Sequence, residues 1–329
     1  VVDIIAAISG VVSLSADDHS RVLHAASWAK APFLFETGTI WLPGHAYLLG
    51  LALSIHYDLL VTPRIFTALF SLLGLAGIYL ISRSLFNSSV ACLSVLLMGL
   101  LPFYVRLTVT PLSDMAYYTL ILWFLYCFIT WWKERNNGSL LLAALLLSFC
   151  CAIRYEAWLT AAFFSLCLTR RLISERKESR LSVLLWLILI GLVGFGPCVW
   201  TIKNFVSWGD PFHFVRATFP GSVDTTGPLS KISPKLGYLD LLFENGALVC
   251  ILAVVGVVLL DRPVSKVIRW YLVLSLAPLG MLTLLMKSPE VWAAYKPRYV
   301  GQYLIALVPF CAYAIYWALT IGHRVGVRW

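Results

Sequence analysis

Residues 181–202 read LSVLLWLILIGLVGFGPCVWTI. The stretch holds no charged residue and is long enough to cross a bilayer, whose apolar core takes about 20 helical residues. Apolar stretches of the same kind recur on both sides of it, at 1–15, 62–82, 90–105, 112–132, 139–153, 157–168, 238–260, 267–286 and 299–321. The chain of 329 residues is 60% hydrophobic and only 12% charged, more apolar surface than a soluble domain of that length can hide. The expected fold is therefore an all-α polytopic membrane protein of about ten transmembrane helices, one domain over 1–329. The first stretch is short for a crossing and has no basic flank, so it reads as a truncated span rather than a cleavable signal.

With that class in hand, the net charge of +9 is read by side of the membrane. The short connections 83–89, 133–138, 169–180, 261–266 and 323–329 are dense in Lys and Arg, above all Arg170, Arg171, Arg176, Lys177 and Arg180. They are expected on the cytoplasmic side. Most carboxylates fall on the opposite face, which carries the long segments 16–61, 203–237 and 287–298. The first of these, 16–61, is expected to hold two interfacial helices, an amphipathic one over 18–30 and an apolar one over 46–55. No loop interleaves aromatic residues with a basic stripe, which disfavours nucleic acid as a partner. The eight cysteines all lie in apolar stretches without metal-ligand spacing and read as small core side chains.

Charge on the outer face is where chemistry is expected. Asp17 and Asp18 stand together at the start of the first external segment, a place for binding a cation or taking a proton, or for capping the helix that follows. The stretches 139–153 and 157–168 are short for full spans, so the turn Arg154-Tyr155-Glu156 is expected below the membrane surface. There it lines a recess, or forms an ion pair that packs two helices. Arg106 and Asp114 flank the turn between two spans, where Ser113 or Asp114 can also serve as a helix cap. Lys296-Pro297-Arg298-Tyr299 stands where the last span begins, as a site for an anionic head group or as an interfacial anchor. His45 follows Trp41-Leu42-Pro43-Gly44 and is a further polar group on this face, a substrate contact or a satisfied interfacial histidine. No glycine-rich phosphate loop, metal spacing or hydrolase nucleophile motif accompanies these residues.

Taken in order, Asp17-Asp18, then Asp18-His-Ser-Arg21-Val-Leu-His-Ala-Ala-Ser-Trp28-Ala, Trp41-Leu-Pro-Gly-His45-Ala-Tyr, Pro63-Arg64, Thr110-Pro-Leu-Ser-Asp114, Arg154-Tyr-Glu156-Ala-Trp158, Asn204 through Gly209-Asp210-Pro211, and Pro297-Arg298-Tyr299 resemble the GT-C membrane glycosyltransferases. The branch they resemble is the protein-mannosyltransferase and aminoarabinose-transferase-like group, glycosyltransferase family 39-like. The resemblance implies a polyprenyl-phosphate sugar as donor, held in contact with membrane lipid, and an active site facing the periplasm or lumen. It implies Asp17 as catalytic base with Asp18 beside it, and either no cofactor or a divalent cation near those two carboxylates. With the bottom-up reading of the charges, it implies a donor-phosphate site at Arg154, Lys296, Arg298 and Tyr299, and a sugar or acceptor pocket at Arg21, His45, Arg106, Asp114 and Glu156. The Trp-Trp-Asp-Tyr-Gly motif of oligosaccharyltransferases is absent, which disfavours transfer of a whole glycan to Asn. The sugar, the acceptor and any membrane-protein partner stay open. A transporter or flippase of a lipid-linked anion is the alternative, expected to carry ionisable residues at the bilayer midplane and an inverted repeat. A non-catalytic scaffold subunit is another.

Overall fold

The computed structural model describes residues 16–34, 39–174, 180–218, 237–260, 265–285 and 296–324, and every regular element among them is helical. The expected span 1–15 lies outside the described residues, as do 219–236 and 286–295 within the outer loops. Two helices, α1 (Ala16–Lys30) and α2 (Gly44–Ile55), occupy the first external segment. Because α1 starts at Ala16, Asp17 and Asp18 sit in its first turn rather than in a loop ahead of it. Unpaired N–H groups and the positive end of the helix dipole favour carboxylates there.

The apolar stretches fold as follows: α3 (Val61–Leu85), α4 (Ser88–Leu100), α5 (Pro102–Thr108), α6 (Ser113–Glu134), α7 (Asn137–Cys151), α8 (Glu156–Ser174), α9 (Arg180–Trp208), α11 (Gly237–Val258), α12 (Lys266–Leu285) and α13 (Gly301–Arg324). A short α10 (His213–Thr218) follows α9, and a 3-10 turn (Lys296–Tyr299) leads into α13. Five of these helices, α3, α6, α9, α11 and α13, are long and apolar enough to cross a membrane by themselves. The chain is an integral membrane protein. Outward-facing Leu184, Leu187, Ile188 and Phe195 on α9, and Leu248, Ile251 and Val254 on α11, give it an apolar surface suited to lipid.

Three boundaries differ from the sequence expectation. The span expected over 90–105 is two helices bent by 71°. Pro102 has no N–H to continue the ladder of α4 and drives Leu101 into an extended conformation (ψ 119°), so a new helix starts at the proline. Helix α8 runs to Ser174, past the basic residues expected to end it. Arg171 stays in the helix, 7% exposed, with its guanidinium carbon 4.7, 5.3 and 5.7 Å from the rings of Trp131, Trp132 and Trp186. The faces of these rings take up its charge. Helix α9 likewise continues to Trp208, so the outer segment 203–237 begins as helix.

At the centre stands α6, packed against α3 and α7 and buried on most of its surface. Tyr117, Tyr118, Phe124, Phe128 and Trp131 are all nearly solvent-free. Helices α6, α8 and α13 bring their N-terminal ends together, as the contacts of Arg154 with Asp114 and Glu156 and of Tyr118 with the Arg298 carbonyl show. Alternation of up and down helices therefore assembles the site.

Candidate active site

Each of those three helices brings a charged residue at or near its first turn: Asp114 on α6, Glu156 on α8, and Arg298 in the turn before α13. Helix α1 brings Asp17 and Arg21, one turn apart. Arg154, in the tight turn between α7 and α8, sits in the middle. Its Nε and Nη2 donate to the two oxygens of Glu156 at 3.1 and 2.5 Å, a fork-to-fork pair, and its Nη1 donates to Asp114 Oδ1. Asp114 is not a helix cap: Leu112 takes the cap position and no side-chain cap bond forms.

The second group centres on Asp17. Arg298 Nη1 donates to Asp17 Oδ2 at 2.6 Å, and Arg21 Nε lies 3.6 Å from Asp17 Oδ1. Tyr299 joins the two groups. Its hydroxyl accepts from Arg298 Nη2 at 3.0 Å, and its ring lies 5.0 Å from the Arg298 guanidinium carbon and 5.6 Å from that of Arg154. Arg21 in turn covers the Trp41 ring at 4.9 Å. Three guanidiniums (Arg21, Arg154, Arg298) thus face three carboxylates (Asp17, Asp114, Glu156), and the cluster is formally neutral. Partial burial pushes the Asp17 carboxyl up, but the charges of Arg21 and Arg298 outweigh it and hold the group below its usual value. For Arg298 burial favours loss of charge, and nearby Asp114 and Tyr299 reverse that and raise it.

Other residues marked in the sequence fall elsewhere. Asp18 follows Asp17 by about 100° around the helix, so the neighbours diverge. Asp18 is 1% exposed and lines a separate cleft of about 70 Å³ with His19, Val22, Pro63, Arg64 and Pro111. Among the described residues no group of three or more His, Cys, Asp or Glu gathers to hold a metal. His45 lies inside the protein, 2% exposed and edge-on to Phe66 at 6.1 Å, rather than at a surface of the site. Burial first, then Arg21 and His24, push its pKa down to about 3, so it is neutral at physiological pH. Arg106 is exposed on α5. Lys296 opens the 3-10 turn, with its side chain outside the described part.

Two site residues were not marked beforehand. Tyr117 lies with its ring 5.8 Å from the Arg154 guanidinium carbon, and Tyr118 donates to the Arg298 carbonyl. Both follow Asp114 by three and four positions, the spacing that puts helix residues on one face. That spacing was the available signal.

The fold is that of the GT-C membrane enzymes. The chain superposes on ArnT from Cupriavidus metallidurans bound to undecaprenyl phosphate with a TM-score of 0.67 at 11% identity, covering 95% of this chain and 59% of that one. Apo ArnT from the same organism gives 0.65 at 12% identity over 92% and 56%. The apo oligosaccharyltransferase of Archaeoglobus fulgidus gives 0.58 at 12% identity over 95% and 48%. The chain thus spans under two thirds of the length of these solved structures. Residues 41–200 match the model of the dolichyl-phosphate-mannose-protein mannosyltransferase family. That match covers just under half of the chain, and the likeness to the solved structures is one of fold. A sequence comparison with curated proteins gives no match.

Proposed function

We propose that this protein is a membrane glycosyltransferase that moves a single sugar from a polyprenyl-phosphate donor to an acceptor hydroxyl on the periplasmic or lumenal side. The observation that carries the reading is the contact between Asp17 and Arg298, a carboxylate and a guanidinium side by side where three helix N-termini gather. Transfer at the anomeric carbon needs a base for the incoming hydroxyl and stabilisation of the departing phosphate. The acceptor oxygen forms a bond to the anomeric carbon while the bond from that carbon to the phosphate oxygen breaks. The hydroxyl proton passes to Asp17, the bonding electrons leave with polyprenyl phosphate, and the single in-line step inverts the anomeric centre.

Arg298, Arg154 and Tyr299 are the groups for the phosphate, aided by the positive ends of α6, α8 and α13. Because the six charges already balance, an arriving phosphate competes with carboxylates for the guanidiniums. Arg298 turning from Asp17 to the phosphate relieves Asp17 of one of its two cations and makes it the stronger base. Donor binding thus prepares the base. The gathering of ionisable groups at one end of the helix bundle, rather than midway along its helices, supports an enzyme over a transporter.

The test is turnover of a panel of polyprenyl-phosphate sugars by wild type beside Asp17→Asn. Wild type is expected to release polyprenyl phosphate from one donor, and the variant to lose about 10²–10⁴-fold in rate. Turnover by Asp17→Asn at the wild-type rate removes Asp17 from the role of base. A folded wild type that consumes no donor removes the transferase reading.

A further inference from the structure

The two halves of the site lie on parts of the chain that are far apart in sequence, and adjacent tyrosines of α6 connect them. Tyr118 donates its hydroxyl to the backbone carbonyl of Arg298, and Tyr117 donates to Gln302 Oε1, one turn further along. Both tyrosines are 1% exposed and Gln302 is 8% exposed, so these bonds form where water does not compete for them. Gly301 makes the first of them sterically feasible: a Cβ at that position would come within 2.5 Å of the Tyr118 hydroxyl and 2.9 Å of Phe103. On the same face of α6, Asp114 holds Arg154, whose guanidinium also lies against the Tyr117 ring.

We propose that Tyr117, Tyr118 and Gln302 form a latch that fixes the register between Arg298 and Arg154. They are positioning residues, acting on the donor phosphate only through the two arginines. A phosphate bridged by two guanidiniums needs them at a set separation, and Arg298 and Tyr299 arrive on a 3-10 turn whose helix, α13, is held to α6 at this point by the two bonds. Helix α6 is the rigid reference because it is the most enclosed element of the core. Sliding of α13 by part of a turn breaks both bonds and carries Arg298 away from Asp17 and from the phosphate together. Neither tyrosine hydroxyl reaches a reacting atom in this scheme.

The kinetic arm of the test rests on the transferase reading, and the thermal arm does not. Full-length wild type, Tyr118→Phe, Tyr117→Phe, Gln302→Met and the Tyr117→Phe/Gln302→Met double variant are compared in detergent micelles, each with and without Arg298→Lys. Loss of one such bond is expected to lower kcat/KM roughly five- to tenfold, chiefly through KM for the polyprenyl-phosphate sugar that wild type consumes. In the Arg298→Lys background Tyr118→Phe is expected to cost less than about twofold, since the group it positions is already displaced. In thermal unfolding, Tyr117→Phe and Gln302→Met are expected to be non-additive, because each removes the same bond. An unchanged kcat/KM in Tyr118→Phe, or the same loss with and without Arg298→Lys, overturns the latch. If wild type consumes no donor, the transferase reading falls and the thermal cycle alone decides. Additive losses overturn the latch and non-additive losses sustain the bond on which it depends.

Discussion

Burial and charge pull the Asp17 carboxyl in opposite directions, and the two neighbouring arginines prevail. A carboxylate with a depressed pKa is ionised at every pH above its usual value of 3.8, so the base form is present throughout the neutral range. The stability its ion pairs contribute is full above that value and is lost as pH falls through the lower, folded pKa. The acid limb of the pH–rate profile of free enzyme is therefore expected below pH 4, read from kcat/KM. Replacing both cations, as Arg21→Gln with Arg298→Gln, leaves burial opposed only by the charge of Arg154, and the limb is expected to move upward. A limb that stays in place assigns it to another group. Asp114 is fully enclosed. Asp114→Ala leaves Arg154 buried with one of its two carboxylates, and a loss of roughly 3 kcal/mol in unfolding free energy is expected. A thermal midpoint equal to wild type would show that Glu156 alone satisfies Arg154.

The helices that a membrane demands were readable as uninterrupted apolar runs, because lipid removes the need for a polar face. Their ends were less so. Nothing in the apolar pattern of 90–105 marks a break except Pro102, and nothing in 169–174 shows that tryptophans from two other helices will accept Arg171. The charged residues of the site were visible as charges in the segments between the apolar runs, yet their grouping was not. Asp17 and Asp18 are neighbours in sequence and separate in space because a helix turns between them. Arg298 joins Asp17 across nearly the whole chain. The motif Trp41-Leu-Pro-Gly44 gains its meaning only from packing. Gly44 N–H donates to the Ala152 carbonyl at 2.7 Å, and a Cβ on Gly44 would come within 2.7 Å of the same oxygen. That bond seats α2 on the turn that carries Arg154. Gly44→Ala is expected to destabilise the protein by about 1–3 kcal/mol through overpacking. It is also expected to lower turnover more than it lowers the amount of folded protein, because the displaced turn bears Arg154. Equal losses in both would confine Gly44 to stability.

At the scale of the whole molecule, the site and the aromatic-basic belt occupy opposite ends of the bundle. Asp114, Arg154 and Glu156 lie where α6 and α8 begin, and Trp131, Trp132, Arg135 and Arg171 lie where the same helices end. On the proposed orientation, the dense short basic connections put the second end on the cytoplasmic side. The sequons Asn87-Ser-Ser and Asn137-Gly-Ser then sit at the cytoplasmic end, where Asn87 caps α4 by accepting from Val90 N–H at 2.9 Å, and neither is expected to be glycosylated. Cysteine labelling tests the orientation directly. In a Cys92→Ser/Cys198→Ser background, which removes the exposed native thiols among the described residues, Tyr57→Cys stands in the turn before α3 at the site's end and Asn137→Cys at the other. An impermeant maleimide applied to intact cells or sealed right-side-out vesicles is expected to label the first at once, and the second only after permeabilisation. The reverse pattern puts Asp17 and Arg298 in the cytoplasm. The donor's phosphate must then be reached from the cytoplasmic leaflet, and the periplasmic or lumenal assignment of the reaction falls while the geometry of the site stands.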